Sequence, residues 1–168
     1  MKIQIMGFSG SGKSTLAKRL SEHYKIPALH LDNTHFYDDW KERTDEDQDA
    51  IVTKFIEENE SWIIDGNYRR ICKRRFEECD LLIYLDYNRF YCYRKAKERY
   101  KEFKGKIRYS CPCEEKFDFE FRKWILWESR TRKRKKQIKE LINSIKGEKL
   151  VFKNVKQLNE YLKSQGIN

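Results

Sequence analysis

The eight residues Gly7-Phe-Ser-Gly-Ser-Gly-Lys-Ser14 constrain this chain more than any other feature in it. They fit the pattern G-x-x-x-x-G-K-S/T. Before them stands Lys2-Ile-Gln-Ile-Met6, short, apolar and β-rich; after them, Leu16, Ala17, Leu20 and Tyr24 recur at helical spacing from Ser14 to Tyr24. Strand, glycine turn and helix are the context in which such a match reads as a phosphate-binding loop. Gly7, Gly10 and Gly12 let the backbone turn its N–H groups inward, and with Ser9 and Ser11 they form an anion nest backed by the positive end of the helix. Lys13 adds a mobile cation for the β- and γ-phosphates of ATP. The Ser14 hydroxyl is placed to ligate Mg²⁺, and Thr15 either packs or touches the α-phosphate.

The rest of the chain alternates strands with helices. Ile26 to Leu31 reads as a second strand ending at Asp32, Ser61 to Asp65 as a third closed by Gly66, Asp80 to Asp86 as a fourth, and Lys149 to Phe152 as a fifth. Thr44-Asp-Glu-Asp47 resembles a capping box opening a helix with Ile51, Phe55 and Ile56 on one face. Asn88 caps another helix carrying Tyr93, Ala96, Tyr100 and Phe103. Gly105 to Cys113 reads as a loop, Phe117 to about Ile145 as mostly helix, and Val155 to Leu162 as a closing helix. The expected architecture is three-layer α/β/α around a five-stranded parallel sheet with right-handed crossovers. At 168 residues, with two prolines and no linker-like tract, residues 1–168 are expected to form one P-loop kinase-like domain with a helical lid segment over roughly 104–135.

In such a sheet, ligands lie outside the carboxyl ends of the strands, where Asp32, Asp65 and Asp86 fall. Either Asp65 or Asp86 is expected to hold Mg²⁺ beside Ser14, with Asp65 favoured. Asp86 reads equally well as a helix cap beside Asn88. Asp32 is placed to accept a proton from an attacking hydroxyl or to hold that hydroxyl in line, the alternative being a cap for the Asn33-Thr34 turn. His35 either binds substrate or packs among Phe36, Tyr37 and Trp40. Guanine-specific recognition would want Asn-Lys-x-Asp late in the chain, and Phe152-Lys-Asn-Val155 lacks the aspartate.

Charge is polarised along the chain. Asp32 to Glu60 holds eleven acids and three bases, whereas Ser129 to Lys146 holds eight bases and one acid. On one continuous helix Arg130 and Arg134 would share a face, where they could clamp a transferring phosphoryl group. The alternatives are a solvated charge run or a nucleic-acid patch. Phe117, Phe119, Phe121, Trp124 and Trp127, just before the run, read mainly as core. Cys111-Pro-Cys113 lacks the second ligand pair that a structural zinc site takes.

The phosphate loop, Leu29-His-Leu-Asp32 followed by His35-Phe36, Trp62-Ile-Ile-Asp65-Gly66-Asn67-Tyr68 and the aromatic stretch around Trp124 together resemble the small bacterial P-loop proteins often labelled DNA topology modulation proteins, a group similar to adenylate kinases. The resemblance implies ATP binding and a nucleoside- or nucleotide-kinase-like fold. Asp65-Gly66 followed by Arg69 resembles the Asp-Gly-Phe-Pro-Arg motif of adenylate kinases, with Asn67 and Tyr68 in place of Phe-Pro. That implies an acceptor-side role for Asp65 and Arg69, with Asp65 near Mg²⁺.

The function expected from these readings is transfer of the ATP γ-phosphoryl to a small acceptor: a nucleoside, a nucleotide or another hydroxyl compound. Lys13, Asp32, Arg130 and Arg134 are its catalytic candidates. An ATP-dependent nucleic-acid-binding protein is the alternative. No apolar run approaches the ~20 residues a membrane span takes. Five cysteines in a chain without a secretion signal point to reduced thiols and the cytoplasm.

Overall fold

A computed structural model describes residues 1–38 and 40–167; Asp39 of the acidic stretch lies outside the described residues. The central sheet is parallel throughout, in the order β2-β3-β1-β4-β7. Its strands are β1 (Lys2–Gly7), β2 (Ala28–His30), β3 (Trp62–Asp65), β4 (Leu81–Leu85) and β7 (Glu148–Phe152). The inner strands run as nearly unbroken apolar segments because both faces are covered. Ile3, Ile5, Trp62, Ile63, Ile64, Leu82 and Ile83 are all fully buried. Helices pack on both sides of the sheet: α1 (Lys13–Tyr24), α2 (Leu31–His35), α3 (Asp45–Glu58), α4 (Arg74–Glu77), α5 (Arg89–Phe103), α6 (Phe119–Leu126), α7 (Arg132–Ser144) and α8 (Val155–Ser164). This is the expected three-layer α/β/α fold. From β1 the chain turns to one side for β2 and β3, then to the other for β4 and β7, so the loop after β1 lies where the order diverges.

Local signals set several boundaries as the sequence predicts. Thr44 caps α3 by accepting the Asp47 N–H at 3.1 Å, and Asn88 caps α5 by accepting that of Phe90 at 2.8 Å. The three acids of the first α3 turn face the positive end of its dipole.

Three readings need correction. The second strand is shorter than Ile26–Leu31, because Leu31 turns inward as the first residue of α2 and is fully buried. Asp32 therefore sits in the first turn of a short helix, not at a strand end. Thr34 Oγ1 and Gln48 Nε2 both donate to the Leu31 carbonyl, which stabilises that turn. The stretch read as a loop holds an antiparallel hairpin, β5 (Ile107–Arg108) and β6 (Cys111–Glu114), so the proposed lid segment begins as sheet. The long C-terminal helix is broken at Trp127. A 3-10 turn spans Glu128–Arg130, and α7 restarts behind Thr131, whose hydroxyl accepts the Arg134 N–H at 3.3 Å. Among the described residues no helix is long and apolar enough to cross a membrane.

Candidate active site

The phosphate loop joins β1 to α1. Its Ser11 N–H donates to the Phe8 carbonyl at 3.0 Å, and α1 opens at Lys13 with no side chain capping its first turn, so the N–H groups there are left for a ligand. Gly10 has φ +79, and a Cβ built on it would meet the Cys92 carbonyl oxygen of α5 at 2.2 Å. Gly10→Ala must displace loop or helix backbone, and its expected effect is a fall of roughly tenfold or more in ATP affinity, read by calorimetry.

Below the loop, Gly66 makes the corresponding close approach. A Cβ there would lie 2.7 Å from Leu31 Cβ at φ +137, so the chain leaving β3 can pass against α2 only as glycine. The next residue grips the phosphate loop. Asn67 Oδ1 accepts the Gly7 N–H at 3.1 Å, and Asn67 Nδ2 donates to the Gly7 carbonyl at 2.9 Å. Asn67 and Tyr68 are in turn held by Arg75, which is fully buried and donates to both their carbonyls, to the Ile71 carbonyl and to Gln4 Oε1. Gln4, also buried, donates to the Ile5 and Gly66 carbonyls.

Ser14 Oγ donates to Asp65 Oδ2 at 2.8 Å, and Asp65 Oδ1 lies 2.7 Å from His30 Nδ1. The parallel register places His30 and Asp65 side by side on β2 and β3. A buried carboxylate and a hydroxyl in contact are hard oxygen donors of the kind Mg²⁺ takes, one or two protein ligands completed by water and phosphate oxygens. The residues present fit that ion. Asp86, the other metal candidate, accepts instead from Lys153 beyond β7 and is not part of this cluster.

Lys13 is half-buried, and its Nζ donates to the Phe8 carbonyl at 3.3 Å. Burial lowers its pKa, opposed by the charges of Asp32 and then Asp65. Asp32 Oδ1 accepts the Tyr68 hydroxyl at 2.8 Å. That phenol's pKa is raised, by burial first and by Asp32 next, so the hydroxyl remains a donor. His35 is tied to protein on both ring nitrogens: Nδ1 lies 3.0 Å from Gln48 Oε1 and Nε2 lies 3.6 Å from Glu42. Arg69 donates to Gln137 of α7 at 2.8 Å, and Thr15 meets the Tyr109 side chain.

Arg130 and Arg134 do not share a helix face. Arg130 is buried in the 3-10 turn with its guanidinium 3.6 Å from the centre of the Phe8 ring, and it donates to the Ile125 and Tyr87 carbonyls. Arg134 is exposed on α7 and stacks over Trp124. The cations that the sequence reading missed come from elsewhere. Arg99 of α5 and Arg108 of β5 both donate to buried Glu115, and Arg99 acts electrostatically on Lys13 and is acted on by Asp32. The hairpin that carries Arg108 covers α2: Asn33 Nδ2 donates to the Tyr109 carbonyl at 2.9 Å and Trp40 Nε1 to that of Glu114 at 3.0 Å. A groove of about 650 Å³ along α3, lined in part by Asp49, Thr53 and Arg70, lies outside this cluster.

Fold and loop together define a P-loop protein of kinase-like α/β/α architecture. The chain belongs to the AAA domain family, whose sequence model matches residues 3–118. No curated protein matches the sequence. Among solved structures it is similar to the deoxyadenosine kinase of M. mycoides with bound dATP, at 15% identity over 100% of both chains with a TM-score of 0.58. It is also similar to the shikimate kinase of Bacteroides thetaiotaomicron, at 14% identity over 98% of this chain and 96% of that one with a TM-score of 0.55. An uncharacterised protein from Eubacterium ventriosum aligns over 98% of this chain and 97% of its own, at 16% identity and a TM-score of 0.50.

Proposed function

We propose that this protein is a Mg²⁺-dependent phosphotransferase that moves the γ-phosphoryl of ATP to the hydroxyl of a small acceptor. One observation carries the reading: two carboxylates act on Lys13 with separate anchors, Asp65 tied to Ser14 and Asp32 tied to Tyr68. The first is arranged for the metal and the second for the acceptor. The motif resemblance to the DNA topology modulation group, with the ATP binding it implies, supports the same assignment, and five buried, unpaired cysteines suit a reducing cytoplasm.

In this reading the loop amides and Lys13 hold the phosphates. Ser14 and Asp65 would hold Mg²⁺, which when bound neutralises charge on the β- and γ-oxygens. Asp32 aligns the acceptor hydroxyl. The acceptor oxygen forms the new bond to phosphorus as the bond to the β-phosphate oxygen breaks; the hydroxyl proton passes to the Asp32 carboxylate, and ADP leaves. Arg99 meets the charge on the transferring group, the role that the sequence suggested for Arg130 and Arg134. The hairpin β5–β6 and α6 form the lid that excludes water.

The test is a panel of nucleosides, nucleotides and small alcohols incubated with γ-labelled ATP. At least one acceptor is expected to take label, and Asp32→Asn is expected to lower that transfer roughly 100-fold while ATP affinity stays within about twofold. No labelled acceptor alongside tight ATP binding would refute the proposal.

A further inference from the structure

Glu115 follows the hairpin directly, and its side chain is only 4% exposed. An isolated carboxylate so placed would be costly, and this one is doubly paired. Its Oε2 accepts from Arg99 Nε at 3.0 Å, and its Oε1 accepts from Arg108 Nε. Arg108 is pinned further by donating to Ser110 Oγ at 2.6 Å. Arg99 is different. Glu115 holds one edge of its guanidinium, and its two terminal nitrogens have no partner among the described residues. That side chain is 28% exposed, and its charge interacts with those of Asp32 and Lys13, which puts Arg99 among the charged groups around the phosphate loop.

A guanidinium is planar and its donors are fixed relative to one another, so fixing the Nε edge also limits where the other two nitrogens can point. Without Glu115, Arg99 and Arg108 would be like charges in close, poorly solvated proximity and would separate. We propose that Glu115 is a positioning residue for phosphoryl transfer, orienting Arg99 so that its terminal nitrogens meet the transferring group between Lys13 and Asp32. The assignment rests on the phosphotransferase reading. It adds that the arginine is oriented by the chain segment that closes over the site, so lid docking and charge stabilisation are one event.

The experiment compares binding of ADP with Mg²⁺, with and without aluminium fluoride, by calorimetry on the full chain. The fluoride complex imitates the group in flight, which ADP alone lacks. Wild type is expected to gain at least about tenfold in affinity from the fluoride. Glu115→Gln is expected to lose most of that gain while ADP affinity stays within about twofold, a split that loss of structure would not produce. Retention of the full gain, or a parallel loss of ADP affinity, would overturn the assignment. Should Glu115→Gln fail to fold, Arg108→Gln and Arg99→Gln decide. Glu115 still holds Arg99 in the first, so a large part of the gain is expected to remain there and to vanish in the second; equal losses would refute the proposal. Wild type that binds ADP but gains nothing from fluoride would defeat the phosphotransferase reading itself, an outcome distinct from a Glu115 variant behaving like wild type.

Discussion

Lys13→Met is expected to abolish phosphoryl transfer, with a loss of roughly 10³-fold or more, in a chain that still folds. The lysine is half-buried at the head of α1, where its charge is poorly solvated and is retained because Asp32 and Asp65 act on it. Methionine matches its stem and removes that burial cost. The two carboxylates keep other partners, Tyr68 for Asp32 and Ser14 with His30 for Asp65, so neither is stranded. The melting temperature should therefore move by only a few degrees while the donor phosphates lose the one mobile cation that the loop offers. Labelled transfer and a thermal melt on one preparation check both halves, and transfer within tenfold of wild type would place the phosphates elsewhere.

A pH profile adds an independent check on the same residue. Burial lowers the Lys13 pKa below its ordinary 10.5, and in the proposed reaction the protonated form is the one that holds the phosphates. The alkaline limb of kcat/KM is thus expected to begin below pH 10.5. The lysine's own contribution to stability changes the other way. The folded chain releases this proton before the unfolded chain does, so over that window the unfolded state binds more protons and the lysine's contribution to stability rises with pH. Buried Tyr68, Tyr84 and Tyr87, whose pKa values burial raises, act the other way at alkaline pH, so the lysine's contribution is read as the difference between wild type and Lys13→Met.

What could be read from sequence follows the range of each interaction. The phosphate loop was legible because its glycines, lysine and serine are contiguous and bounded by a strand and a helix. Asp65 was legible because a strand of nearly continuous apolar residues ends on it. Asp32 was found for an imperfect reason: Ile26 to Leu31 read as a strand ending on it, but burial of Leu31 against Gly66 folds the chain into α2 one residue earlier. Arg130 and Arg134 were paired by helical spacing alone, and spacing is meaningful only within one helix; the Thr131 cap divides theirs. Arg99, Arg108 and Glu115 carry no local signature. They come from a helix, a two-residue strand and the residue just past β6, and only the hairpin's docking brings them together. Asn67 and Tyr68 stood in a quoted motif, but their roles depend on neighbours 60 and 36 residues away in the chain.

The least conspicuous residue in the sequence is expected to carry the largest single contribution to stability. Arg75 sits in the base-rich segment Arg69 to Arg75, where no motif marks it, yet it is fully buried and donates to four neutral oxygens: Gln4 Oε1 and the carbonyls of Asn67, Tyr68 and Ile71. Burial pushes its pKa down to about 9, so at neutral pH the guanidinium remains charged and is held by oriented dipoles without a carboxylate. Arg75→Met would fill much of the same space and take a donor from each of those acceptors, of which the Tyr68 carbonyl keeps the Ile71 N–H. Hydrogen bonds from a charged donor are worth about 1.5–3 kcal/mol each and are not additive, so a net loss of about 3–5 kcal/mol is expected. It should register in urea as a lower midpoint with an unchanged slope. Arg75→Lys should recover only part, since an ammonium cannot span four acceptors set in a fork. The consequence also reaches the site. Arg75 positions the backbone of Asn67, Asn67 clamps Gly7, and Gly7 opens the phosphate loop, so ATP affinity is expected to fall about tenfold in Arg75→Lys even at temperatures where it is fully folded. A lysine variant that binds ATP as wild type does would show that the loop keeps its shape without this support.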